Sequence, residues 1–155
     1  MTVTMIPLNR ARLVFHGSVV VLLSLLCGLP LFIAVRDGWG DEAVRFWRSV
    51  HVGLAAVGVW SITTGAVIEH LVLEPPRPSL LAWSVIVSNY AIAASILVRA
   101  LAMWLHLDVG TLPLSVLVAW PRDISAVAGF VAVLVTLRGA AVAVRVAKGA
   151  ARTGV

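Results

Sequence analysis

Four histidines stand in or beside long apolar runs of this chain: His16, His51, His70 and His106. Arg48, Arg99 and Glu69 share that setting. An ionisable side chain among apolar residues is costly, so each is a functional candidate. They fall at two depths, with His16, Glu69 and His70 at one and Arg48, His51, Arg99 and His106 at the other. A neutral histidine binds a metal through one ring nitrogen, which makes His51 a candidate metal ligand. The competing reading is a structural histidine bonded to a backbone carbonyl. Arg48 and Arg99 are candidate holders of an acidic group, because a guanidinium taken out of water needs an anionic partner. His16 and Glu69 share a depth at which they can pair.

Helical spacing groups these residues into faces. His51, Ala55, Gly58, Ile62, Gly65 and Glu69 share one, and its two glycines admit another helix or a flat ligand. Ser84, Ser88, Ser95 and Arg99 form a polar stripe, by steps of about four, seven and four residues. Such a stripe points into a bundle or an intersubunit surface, and packing through small polar residues explains the serines. Arg138 is long enough to snorkel to a membrane surface. The chain carries no phosphate loop, CxxC, HExxH or nucleophile elbow. Cys27, the single cysteine, has no partner for an internal disulfide and reads as a small buried hydrophobe.

Composition says which elements position these groups. Of 155 residues, 61% are hydrophobic and 12% charged, against about 25% charged in soluble domains. A mean hydropathy of +1.02 is more than so small a soluble core can bury. The chain therefore reads as all-α, an integral membrane bundle of four transmembrane helices in a single domain, 1–155. The spans run over about residues 13–35, 47–73, 80–105 and 124–146, each near the ~20 residues a membrane requires. The first is too long for a signal-peptide core. Glu74-Pro75-Pro76-Arg77-Pro78 breaks the chain between spans two and three. From His106 to Arg122 a softer connection holds an apolar stretch, Leu114–Trp120, too short to span and suited to the interface.

The net charge of +5 lies at span ends and forms no nucleic-acid patch. Arg10, Arg12, Arg77, Arg145, Lys148 and Arg152 outnumber Arg36, Arg45, Arg48 and Arg122 on the opposite side. That asymmetry predicts an inner (plasma) membrane protein with both termini cytoplasmic. Trp39, Trp47, Trp104 and Trp120 then form an aromatic belt at the outer interface.

Several segments resemble one family. Leu13-Val14-Phe15-His16-Gly17 and Leu25-Leu26-Cys27-Gly28-Leu29 lie on span one, and Trp47-Arg48-Ser49-Val50-His51-Val52-Gly53 opens span two. Trp83 and Asn89-Tyr90-Ala91 lie on span three. From about Arg12 to Arg138 the chain resembles the styrene oxide isomerase and hydroxylaminobenzene mutase superfamily of small four-span membrane isomerases. The resemblance implies a homotrimer. In the isomerase branch it also implies haem b at the subunit interface, ligated at the position of His51. The implied reaction opens a small hydrophobic epoxide at ferric iron acting as a Lewis acid, and a 1,2-shift gives a carbonyl compound. Arg48 and Arg99 are the candidate partners of the haem propionates.

The match has departures. Where the isomerase branch has an Asn after the ligand histidine this chain has Val57, and where it has an orienting Tyr on span three this chain has Ile96. The mutase branch has an Asn after its Tyr-Ala step, where this chain has Ile92. Three alternatives stand beside the epoxide isomerase. One is an aryl hydroxylamine mutase. Another is an electron-transfer subunit with two bis-histidine haems, built from His16 with His70 and His51 with His106. The third is a non-catalytic membrane component. Membrane lipid and a small hydrophobic substrate are the expected partners.

Overall fold

The computed structural model describes residues 5–105, 107 and 112–153. They form four helices: α1 (Met5–Arg36), α2 (Asp41–Val67), α3 (Arg77–Trp104) and α4 (Leu112–Thr153). A 3₁₀ turn, Ile68–His70, closes α2. All four helices are long and apolar enough to cross a membrane, as the composition demands. The expected Leu114–Trp120 interfacial stretch is instead the start of α4, and Pro121 lies inside that helix. One missing backbone donor is tolerated in membrane helices. At about 1.5 Å per residue this helix far exceeds a ~30 Å hydrocarbon core, so its ends extend beyond it. The proline-rich break also starts a helix. Pro78 falls in the first turn of α3, where a missing N–H removes no intrahelical bond.

Lipid is as apolar as leucine, so burial of apolar surface does not drive these helices together. Close backbone approach and hydrogen bonds across the seams do. α1 and α2 meet at Gly17 and Gly58. A Cβ on Gly58 would lie 2.9 Å from the Gly17 carbonyl oxygen, and one on Gly17 would lie 2.7 Å from the Gly58 carbonyl oxygen. Gly65 faces Leu13 and Val14 of α1, where a Cβ would find them at 3.1 and 3.2 Å. Around Gly58 and Gly65 the glycine face of α2 is thus filled by α1.

Short polar side chains tie this seam and the others. Ser61 of α2 donates to the Leu13 carbonyl at 2.9 Å, and Asn89 of α3 donates to the Val57 carbonyl at 3.0 Å. The serine stripe of α3 faces α4. Ser88 donates to the Ser125 carbonyl at 3.0 Å and Ser95 to the Val118 carbonyl at 2.9 Å. α3 is the central span, with half of its apolar window enclosed, whereas only 11% of the α4 window is enclosed. The large apolar side chains left exposed, such as Phe32, Leu29 and Phe130, are those lipid would solvate.

Adding one methyl at the α1–α2 contact should separate the helices. Gly58→Ala sets a Cβ against two backbone atoms that cannot rotate away, at about 1–3 kcal/mol. Gly149→Ala, with nothing within 4 Å of the new carbon, should leave stability unchanged or raise it slightly. Thermal unfolding of both variants in mild detergent checks this. Equal melting temperatures would show that the glycine contact does not hold the bundle.

Candidate functional site

His51 lies on the side of α2 that faces α1. Its position is fixed by Ser24, a buried α1 residue, through a reciprocal pair of bonds. The Ser24 hydroxyl donates to the His51 carbonyl at 2.7 Å, and His51 Nδ1 donates to the Ser24 carbonyl at 2.9 Å. Gly28, one turn further along α1, makes room for the ring: a Cβ there would lie 3.3 Å from His51 Nδ1. A carbonyl accepts only, so the tautomer that makes this bond carries its hydrogen on Nδ1 and leaves Nε2 to accept, whereas the Ser24 hydroxyl, 3.2 Å from Nδ1, would serve the opposite tautomer. Nε2 has no hydrogen-bond partner among the described residues. The backbone bond expected of a structural histidine is present, and it is the same bond that orients a metal-ligating imidazole.

The surroundings decide what metal species fits. Among the described residues no group of three or more His, Cys, Asp or Glu is placed to hold a metal ion. A metal at His51 must therefore bring most of its ligands with it, as haem does with its macrocycle. At about 100° per residue, Arg48, Val52, Ala55 and Val59 lie within about 100° of His51 around the helix. Val52 and Val59 are more than half exposed. His51 thus has an apolar wall along α2 on one side and a guanidinium one turn away on the other. These residues fit a haem held through one axial histidine.

Arg99 is elsewhere. With Phe46, Ser49, Val50 and Ile96 it lines a small cleft of about 100 Å³ between α2 and α3. The α2 members of that cleft lie about 100–200° around the helix from His51. One copy of the chain therefore brings Arg48, but not Arg99, to the His51 side. Arg99 is also exposed, not the buried guanidinium its place on the serine stripe implied. Neither arginine pairs with a carboxylate among the described residues.

Val57 and Ile96 both pack against the apolar cluster that includes Val50, Leu54 and Ala93. Ile96 Cδ1 comes within 3.5 Å of a Cβ built on Gly53. The polar group near position 57 comes from α3 instead, as the Asn89 amide on the Val57 carbonyl.

At the other end of the bundle the expected His16–Glu69 pair does not form. Glu69 is taken by Arg10, at 2.6 Å, and lies 3.8 Å from His70 Nε2. His16 Nδ1 bonds the Tyr90 hydroxyl at 2.9 Å, so His16 and His70 have different partners. Gly65 sits against the Arg10 carbonyl, so Glu69, one turn on, meets the Arg10 end of α1, six residues before His16. His106 lies outside the described residues. Trp47 also departs from expectation. It is 7% exposed and belongs to the core, whereas Trp39, Trp104 and Trp120 are exposed.

Sequence reasoning missed Ser24, Asn89 and Tyr90 as partners. Ser24 and Asn89 left the one available signal, a lone polar residue deep in an apolar run. The Ser24 clasp makes a direct prediction. In protein labelled with ¹⁵N-histidine and free of metal, the His51 nitrogens should show the tautomer protonated at Nδ1, with a bare Nε2. The opposite tautomer would remove the ligand geometry.

Comparison with known proteins gives the family. Residues 9–141 match the family described as styrene oxide isomerase. No curated protein and no solved structure matches the chain. The matched region spans α1, α2 and α3 almost entirely and most of α4, and it includes His51, Ser24, Arg48 and Arg99. A four-span membrane bundle with that match belongs to the styrene oxide isomerase family of membrane isomerases.

Proposed function

We propose that the protein is a haem b-dependent membrane isomerase that rearranges a small hydrophobic epoxide to a carbonyl compound. The observation that carries the proposal is the His51 ring, clasped at Nδ1 by the Ser24 carbonyl with Nε2 left bare. Ferric haem b, held by His51, would supply Lewis-acid chemistry. The reaction is internal and redox-neutral: one carbon–oxygen bond opens, a neighbouring group migrates, and a C=O bond forms with nothing added or lost. The chain's part is to hold, orient and keep dry. Ser24 and Gly28 set the ring angle. Val52, Ala55 and Val59 give an apolar wall that excludes water, which would trap a developing carbocation as a diol. Arg48 offers a guanidinium to one acidic side group of the macrocycle.

A homotrimer with the haem between subunits is part of the same proposal. Arg99, on α3, lines a cleft against a face of α2 other than that of His51, so both reach one flat group only when two copies contribute. An inner-membrane location with both termini cytoplasmic completes it, supported by the distribution of basic residues.

Two experiments test the reading. Purified protein in mild detergent should show a Soret band with an open-site ferric signature and convert aryl or alkyl epoxides to carbonyl compounds. His51→Ala should lose both the band and the turnover. Absence of a Soret band after haem reconstitution would sink the haem proposal, and a haem-loaded protein that rearranges no epoxide would sink the substrate class. For the shared site, Arg99→Ala should weaken haem retention without moving the axial-ligand spectrum. Co-expressed His51→Ala and Arg99→Ala chains should hold less haem per chain than wild type but more than His51→Ala alone. No gain over His51→Ala alone would argue against a site shared between copies.

A further inference from the structure

A groove runs along α1 at the end of the bundle where that helix begins and α2 closes. Its volume is about 650 Å³. Pro7, Ala11, Val14 and Phe15 recur at helical spacing and give it an apolar wall about 12 Å long. Arg10 and Glu69 are the charged residues of its described lining. Arg12, two residues on, points elsewhere: its guanidinium lies over the Trp83 ring of α3, 5.6 Å from the centroid. The described lining thus offers a ligand one cation and one anion above a strip of hydrocarbon.

The fold brings the two charges together. A Cβ on Gly65 would lie 3.3 Å from the Arg10 carbonyl oxygen, so the end of α2 is seated against the first turns of α1. Arg10 Nη1 donates to Glu69 Oε2 at 2.6 Å, and both side chains are almost half exposed. Neither group is used up by this bond. The guanidinium keeps further N–H donors. Glu69 Oε1 stands 3.8 Å from His70 Nε2, beyond hydrogen-bond reach.

We propose that this groove binds a phospholipid whose headgroup ends in a primary ammonium. The phosphate sits on Arg10, the ammonium on Glu69 Oε1, and an acyl chain lies along Ala11, Val14 and Phe15. A zwitterionic headgroup laid antiparallel to the ion pair meets an opposite charge at each end, and both contacts are charge-assisted hydrogen bonds. A quaternary ammonium has no N–H to give Glu69. An anionic headgroup without an ammonium brings only like charge to it. Sites for anionic lipids gather Lys and Arg, whereas here a carboxylate stands within bonding distance of the one arginine. The inference does not rest on the His51 reading.

The test titrates defined lipids onto the full chain in mild detergent and counts bound lipid by native mass spectrometry. Wild type should bind phosphatidylethanolamine about three- to tenfold more tightly than phosphatidylcholine, a charge-assisted bond discounted for exposure. The N-methyl and N,N-dimethyl headgroups should fall between the two, a series that needs no variant. Glu69→Gln should erase the preference and keep phosphatidylcholine binding. Arg10→Gln and the groove-filling Ala11→Trp should weaken both lipids. An exposed ion pair adds little to stability, so the two charge variants should fold, and His51→Ala should bind as wild type does. Equal affinity for the two lipids in wild type, or a preference that survives Glu69→Gln, would overturn the proposal. So would tighter binding of phosphatidylglycerol, the mark of a plain basic surface. Competition by water-soluble glycerophosphoethanolamine at the same strength as the lipid would also overturn it, since the apolar wall would then contribute nothing.

Discussion

Everything distinctive in this bundle depends on how closely α1 and α2 approach. Helices in lipid gain little from burying apolar faces on one another, because the tails they displace are equally apolar. Backbone proximity is what remains, and Gly17 with Gly58 brings it to the point where a single Cβ would collide with a carbonyl. That contact aligns the two helices over their length. Two turns further along α1, the alignment puts the Ser24 carbonyl within 2.9 Å of His51 Nδ1. The histidine clasp is a consequence of the glycine seam.

The clasp in turn limits what the site can be. One oriented imidazole, with no companion ligands among the described residues, is a poor trap for a bare metal ion and suits a metal that arrives with donors of its own. The same economy applies to charge. Glu69 and Asp37 are each paired with an arginine, Arg10 and Arg36, at 2.6 Å. Arg48 and Arg99 have no carboxylate partner among the described residues, on different sides of α2. Unmatched cations beside an apolar surface suit a ligand that carries acid groups at its edge and is otherwise greasy.

Much of this was legible in the sequence because lipid simplifies the code. Apolar length alone located four spans, and the 3.6-residue period put Ser84, Ser88 and Ser95 on one face before any partner was known. His51 could be singled out because an ionisable residue in such a run stands apart from its neighbours. What could not be read were pairings between distant segments. Glu69 chose Arg10 over His16 because the packing register sets the end of α2 against Arg10, six residues before His16. Trp47 matches the interfacial tryptophans in composition, yet α1 and α3 close over it. Arg99 shares the period of the serine stripe but lines the cleft toward α2. In each case the residue type was informative and the tertiary neighbour was not.

The departures at Val57 and Ile96 follow from the same packing logic. Both side chains belong to the apolar layer between α2 and α3, where Gly53 lets Ile96 come close. An amide at position 57 or a phenol at position 96 would need hydrogen-bond partners in that layer, and an unsatisfied buried polar group costs about 1–3 kcal/mol. This chain fills the layer with hydrocarbon and takes its one buried amide from Asn89, which is committed to the Val57 carbonyl. A pocket bordered this way can discriminate among substrates by shape and by what it leaves room for, not by hydrogen bonds to an oxygen. Apolar pockets separate ligands differing by one methylene by only about 10–200-fold. Under the proposed function, an apolar layer of this kind would leave selectivity to shape.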